Sequence, residues 1–405
     1  MNISKTHNCF GCGVCAIACA KHIISIELNA DGFYEPRITE PDKCTDCGLC
    51  MEVCSFSHDD LALKNPDIKP YAAWSKDPAV RRKCSSGGVG FEVGRTVVAE
   101  GGKVCGVRFN AEKNQAEHYV ASTDQELIPS IGSKYIQSYT VDGFAEVARL
   151  MRESRKKGEN AKFLITGTPC QIDSFRRWAQ KFKCEDQFIF LDFFCHGVPS
   201  KLMWDKYVKH VEKEVGKITY VSWRNKFTGW HDSWAMAIDG EQKGCEPVNW
   251  HDSYNLLIKG KKSYLNSRLS QGDVFYRLFL WDFCMNPACQ KNCRFKMDQS
   301  SADIRIGDAW GKTYKKNDEG VSAAIAFTPK GKALLDTCNA ELVEHSLAEI
   351  SEAQQTKNCG KAATAGLIGL LLKMPFDIPN IVWKLAFLPE HVIRTCKWHL
   401  KKLKR

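Results

Sequence analysis

Around the Asp-Gly pair at 31–32, the segment IISIELNADGFYEPRI alternates apolar and polar positions, the period of a half-buried strand, and predicts a hairpin. Later the pattern changes. AKFLITGTPCQIDSFRRWAQKF (161–182) and QFIFLDFFCHGVPSKLMWDKYVKHVEKEV (187–215) each begin with a short apolar run. Each then passes through a loop with a cysteine and continues at helical spacing. SADIRIGDAWGK (301–312) reads as a strand and turn, and GVSAAIAFTPKGKALLDT (320–337) as a strand and helix. RRKCSSGGVGFEVGRTVVAEGGKVCGVRF (81–109) reads as a small-residue loop, a helix and a strand. Buried strands alternating with helices predict α/β architecture, with ligands at the carboxyl ends of strands, here Gly167–Cys170 and Cys195–Gly197. No strand is followed by G-x-G-x-x-G, so a Rossmann nicotinamide site is not expected. Residues 61–75, with two prolines and little periodicity, read as a linker.

Cysteine placement changes this picture. The chain has 405 residues and 20 cysteines, and eight of these fall in two opening repeats, NCFGCGVCAIACAKHI and KCTDCGLCMEVCSF. Each repeat is C-x2-C-x2-C-x3-C. Three closely spaced thiolates wrap one iron–sulfur cube and the fourth reaches the other. Cys9, Cys12, Cys15 and Cys54 are therefore expected on one 4Fe-4S cluster, and Cys44, Cys47, Cys50 and Cys19 on the second. Zinc favours separate quartets of C-x2-C pairs and matches poorly. Ala20 and Ser55 stand where ferredoxin runs usually carry proline, which loosens the turn without removing a ligand. The N-terminus shows no apolar secretory region, so reduced thiols in the cytoplasm are expected; scattered cysteines such as Cys184, Cys245 and Cys338 read as unligated. Cys284, Cys289 and Cys293, within ten residues, suggest a third cluster if Cys170 or Cys195 supplies the fourth ligand.

Hydrophobic residues make up 44% of the chain and charged residues 26%, an ordinary globular composition, and the length suggests two or three domains. The net charge of +10 is concentrated in the ending HVIRTCKWHLKKLKR, so the bulk of the chain does not argue for nucleic-acid binding, and none is expected. The apolar, then basic, tail is interrupted by Lys373, Pro375, Asp377 and Pro379 and is too broken to span a bilayer. Two readings stand: a helix at the inner membrane face with Trp383 and Trp398 at the interface, or a helix packed on the domain or a partner. The three tryptophans of SWRNKFTGWHDSW, beside Arg224 and Lys226, could stack on a ring but read slightly better as packing.

Six motifs in order give the chain a family likeness: CSSGGV (84–89), GSKYIQSY (132–139), GTPCQI (167–172), CHGVPS (195–200), WRNKFTGW (223–230) and DIRIGDAWG (303–311). With them the chain resembles the coenzyme F420 hydrogenase/dehydrogenase beta-subunit family. The resemblance implies a flavoprotein, usually with FAD, that exchanges electrons between iron–sulfur clusters and a substrate. It implies flavin-pocket roles for Ser85, Ser86, Gly87, Gly88, Lys134, Gly167, Thr168, Pro169 and Cys170, with Asp308 and Trp310 as walls. From composition alone the Ser85–Gly88 loop reads as a plain turn. Cys195 and His196 are the catalytic candidates, His196 as proton donor.

The expected layout is an α+β and α/β chain. A ferredoxin-type domain with two 4Fe-4S clusters occupies 1–60 and a linker 61–75; the two parts of a beta-subunit-like domain occupy 76–155 and 156–345, the latter holding flavin and substrate. A helical, basic tail occupies 346–405. The expected function is an oxidoreductase that takes electrons from ferredoxin or another donor and passes them through flavin to an organic substrate. The alternative is an electron-transfer subunit feeding a catalytic partner.

Overall fold

The computed structural model describes residues 2–226, 229–231, 235–241 and 273–403. Strands β1 (Ile24–Leu28) and β2 (Tyr34–Ile38) form the expected hairpin, with Leu28 opposite Tyr34. The short helices Val14–Ala18 and Leu49–Glu52 flank it, one from each cysteine repeat.

The rest is organised by one nine-stranded mixed sheet. Its strands are β3 (Lys69–Ser75), β4 (Lys103–Asn110), β5 (Gln115–Ala121), β6 (Ser138–Tyr139), β7 (Phe163–Thr166) and β8 (Phe188–Phe193). After the β9 (Ile218–Asn225) and β10 (Ala235–Gly240) ribbon come β11 (Ile304–Asp308), β12 (Ser322–Ala326) and β13 (Ala340–Glu344). The order is β13-β3-β12-β11-β8-β7-β4-β5-β6. Strands β4, β7, β8 and β11 are mutually parallel, and β3 shares their direction because it is antiparallel to β12, which is antiparallel to β11. Their carboxyl ends therefore lie along one edge of the sheet.

Both faces of the sheet are buried, as continuous apolar strands require. Phe163 and Ile165 of β7 join Phe144, Phe175 and Phe188 on one side. Leu164, between them, joins Val93, Val97 and Leu334 on the other. A separate apolar cluster gathers Trp204 and Val211 of helix Lys201–Val215, Trp223 of β9, Phe275 of helix Val274–Leu280, and Trp383 and Phe387 of the tail.

One expectation about segmentation changes. Residues 61–75 contain β3, whose Ala72 and Ala73 are fully buried between β12 and β13; the small side chains and Pro70 hid a strand that local periodicity could not reveal. The sheet runs through both 76–155 and 156–345, the two parts expected of one domain. In the tail, helices Ala365–Lys373 and Asn380–Leu403 are present. Trp383, placed at a lipid interface by one of the two readings of the tail, packs inward, as the other reading has it. Among the described residues no helix is long and apolar enough to cross a membrane. Phe227, Thr228, Trp234 and Cys245 lie outside the described residues.

Candidate cluster and cofactor site

The two repeats fold alike. Each places a glycine in the left-handed region, Gly13 at φ +75° and Gly48 at φ +78°, where it starts the short helix carrying the third cysteine. At Gly13 a Cβ would stand 2.1 Å from Thr140 Oγ1, whose hydroxyl donates to Cys12 O at 2.9 Å. Cys9, Cys12, Cys15 and Cys54, the last from the other repeat, line one small pocket with Ile3, Phe10, Ile26 and Phe56. Burial, then mutual repulsion, raises the Cys9 and Cys15 thiols, and Cys12 is pushed up to about 12. Thiolates crowded into an apolar pocket need cationic metal to form, and the donor set fits an iron–sulfur cube. Among the described residues no three His, Cys, Asp or Glu side chains converge closely enough for a single ion. The amide of Gly11 donates to Cys9 Sγ at 3.3 Å. On the second quartet, burial raises Cys50, with Cys47 and Cys19 adding repulsion, and Asn2 Nδ2 donates to Cys44 Sγ at 3.5 Å. Cys47 is the most exposed of the eight.

This domain is pinned to the sheet. Ser174, on helix Pro169–Lys181, lies 3.3 Å from Cys12 Sγ and accepts from the amide of Ser55 at 2.9 Å. Asn286 Nδ2 donates to Cys9 O at 3.1 Å. Phe10 packs in one apolar group with Cys170, Ala288 and Phe295.

A second set of thiols gathers beyond that contact. Cys170 begins the helix after β7, and Cys195 follows β8. Burial raises Cys170 well above the thiol range, with Cys289 next and Cys12 also contributing. Burial pushes Cys195 up to about 11, and Cys293 adds to the rise. Cys289 is raised by burial, then by Cys195, Cys359 and Cys293. Cys170, Cys195, Cys289 and Cys293 thus share one neighbourhood. Cys284 does not join them: its thiol points to Met203 Sδ and Leu278 O within the apolar cluster of helix Lys201–Val215. Cys359 does join them, and nothing in its sequence surroundings signalled this.

His196 has both ring nitrogens engaged, Nε2 at 2.8 Å from Asp282 Oδ1 and Nδ1 at 2.6 Å from Gln355 Nε2. Asp282 Oδ2 also accepts from the amide of Gly360 at 3.0 Å. The pair therefore ties segment 355–360 to the thiols.

The remaining pocket candidates sit at the same sheet edge. Gly87 approaches β3 so closely that a Cβ would stand 2.3 Å from Ala73 O, and its amide donates to Ser322 Oγ at 3.0 Å. Ser85 Oγ accepts from the amide of Ser133 at 3.0 Å, and Ser86 Oγ donates to Val321 O at 2.8 Å. Lys134 Nζ faces the carbonyls of Pro129, Ser130, Ile131 and Gly132 at 2.9–3.1 Å. Burial lowers it to about 7, and among the described residues no carboxylate contributes to its shift. Lys226, lowered to about 8 by burial, bonds Arg81 O, Ser86 O and Glu319 O. Two buried ammonium groups beside one loop suit an anionic cofactor. Thr168 and Gln171 cap helix Pro169–Lys181, with the Thr168 amide donating to Gln171 Oε1 at 2.8 Å and Thr168 Oγ1 lying 3.2 Å from Cys170 Sγ. Asp308, at the end of β11, takes both guanidinium nitrogens of Arg224 at 3.0 and 3.1 Å and Trp230 Nε1 at 2.8 Å. Trp310 stacks on Trp230 at 5.5 Å, and Arg224 lies 4.7 Å over the Trp310 ring.

With this geometry in view, residues 160–351 match the family described as the C terminus of the coenzyme F420 hydrogenase/dehydrogenase beta subunit, and residues 8–57 match the 4Fe-4S dicluster domain. Both bear out the family resemblance read from the motifs. No curated protein matches the chain. Among solved structures, a chain from the xenon-derivatized F420-reducing NiFe hydrogenase complex of Methanosarcina barkeri is similar, with 16% identity and a TM-score of 0.42. The match covers 71% of this chain and 84% of that one.

Proposed function

We propose that this chain, a 4Fe-4S dicluster protein of the coenzyme F420 hydrogenase/dehydrogenase beta-subunit family, is an oxidoreductase passing electrons to an organic substrate through a flavin, FAD. The observation carrying the reading is the unbroken packing from the first cysteine quartet to the sheet edge: Cys12 against Ser174, and Phe10 against Cys170. Electron transfer requires close donor and acceptor groups, and this contact supplies a continuous route.

In this reading Cys9, Cys12, Cys15 and Cys54 hold one cluster and Cys44, Cys47, Cys50 and Cys19 the other. The exposed Cys47 makes the second quartet the side that meets a redox donor such as ferredoxin. Cys170, Cys195, Cys289 and Cys293 hold a third cluster. Ser85–Gly88, Lys134 and Lys226 surround the flavin's phosphates, whose negative charge meets the two buried lysines. Gly167–Cys170 follows β7, four places from β3 in the sheet order. A cofactor touching both loops spans more than one strand, as an extended dinucleotide such as FAD does. Bound flavin exchanges one or two electrons and so couples single-electron clusters to two-electron substrate chemistry. Trp310 and Arg224 wall the substrate side. His196, held by Asp282 and Gln355, orients the loop carrying Cys195.

Anaerobic purification followed by iron, sulfide and acid-released flavin analysis tests the reading. About twelve irons and one flavin per chain, with substrate turnover from reduced ferredoxin, are expected. Iron without flavin after reconstitution with FAD would reject the flavoenzyme and leave a subunit that feeds a separate catalyst.

A further inference from the structure

The tail keeps an apolar face away from the protein. Of the fourteen large apolar side chains exposed among the described residues, eleven lie between 367 and 400. Helix Ala365–Lys373 buries Ile368 and Leu372 but exposes Leu367 and Leu370. Helix Asn380–Leu403 turns Trp383, Ala386 and Phe387 into the core, while Ile381, Leu385, Leu388 and Val392, each at least half exposed, form an outward stripe. Their spacing of four, three and four residues keeps them on one side of a helix. The arrangement is fixed rather than dangling. Lys206 Nζ holds the carbonyls of Met374 and Phe376, Lys213 pairs with Asp377, and Lys373 pairs with Asp31 at 2.6 Å.

The charge of the tail sequence is one-sided. Residues 365–405 contain eight Lys or Arg and two acids. Both acids are engaged, Asp377 with Lys213 and the buried Glu390 with Arg394. Trp398 is 53% exposed with the Lys402 ammonium 4.2 Å from its ring centroid. Six of the eight cations are lysines, which protein–protein interface cores tend to exclude. Lysine flanking an apolar stripe suits a surface whose interior accepts hydrocarbon and whose rim is anionic.

We propose that the two tail helices form a docking face for an anionic lipid bilayer, lying in the interfacial plane and holding the sheet domain beside the membrane. The proposal stands independently of the cofactor reading. The second helix submerges its Leu385–Leu388 side, and the basic end after Arg394 meets lipid phosphates.

The test is co-sedimentation of the 405-residue chain, anaerobically purified, with vesicles of phosphatidylcholine alone or with about one-third phosphatidylglycerol. Binding to the mixed vesicles and little to the neutral ones is expected. Leu385→Glu with Leu388→Glu should weaken binding by at least about tenfold. Both side chains are exposed, so iron content and far-UV circular dichroism should be unchanged. Lys397→Glu with Lys402→Glu should weaken binding on the order of tenfold and reduce its salt dependence. No binding by the unaltered chain, or equal binding by the leucine variant, overturns the proposal. So does a dimer, or a co-purifying second chain, that the leucine variant releases, because the face would then be a protein interface.

Discussion

Ser174 Oγ lies 3.3 Å from Cys12 Sγ and also accepts from the amide of Ser55. One hydroxyl of the helix after β7 thus touches both cysteine repeats. With a cluster bound, the hydroxyl turns donor to sulfur, which stabilises the reduced state. Ser174→Ala is expected to lower the potential of the first cluster and leave the second unmoved. Potentiometric titration followed by electron paramagnetic resonance reads both; equal shifts would show a general loosening of the domain.

Iron counts separate the thiols. Cys54→Ser should remove about four irons per chain, and so should Cys289→Ser, whereas Cys284→Ser should remove none. Loss of iron from the Cys284 variant, with none lost from the Cys289 variant, would mean that the third group of thiols is wrongly drawn.

Arg305 and Asp192 face each other in register on β11 and β8, fully buried, with two contacts of 2.7 Å. Arg305→Met leaves a carboxylate unpaired in the core and should cost about 3–5 kcal/mol. Adding Asp192→Leu should restore most of that loss. Thermal unfolding of the single and double variants measures it; equal destabilisation by both would show that packing, rather than charge, holds the strands.

Lys134 supplies a pH signature. Burial lowers its amine to about 7, against an ordinary value of 10.5. Between these values the unfolded chain binds more protons than the folded one, so this group makes stability rise with pH across that window. In flavin-free protein, Lys134→Met should flatten the rise in melting temperature between pH 7 and 10. Reconstitution with FAD should flatten it in the unsubstituted chain as well, because phosphate returns the lysine's pKa upward. An unchanged slope on FAD binding would separate Lys134 from the phosphates.

Much of this was legible in advance because its signals are local. The C-x2-C-x2-C-x3-C spacing contains the loop geometry, and the quartet lining one cavity includes Cys54 from the other repeat, as the spacing required. Strands β7 and β8 were continuous apolar runs. What stayed hidden is set by distant packing. Pro70 and Ala72–Ala73 look like linker until β12 and β13 supply their partners. Cys284 sits closer in sequence to Cys289 than Cys359 does, yet burial against Met203 draws it away while Cys359 arrives through the His196–Asp282 tie. Lys134 had no sequence signature of the carbonyl cage that lowers its pKa.

The position of β3 also orders events at the ribosome. Its neighbours β12 and β13 are synthesised after more than half the chain has followed it; Ala72, for instance, pairs with Ala323 and Val343. Strand β3 therefore waits with both edges bare. A nascent chain thus carries an unpaired, aggregation-prone strand for much of its synthesis.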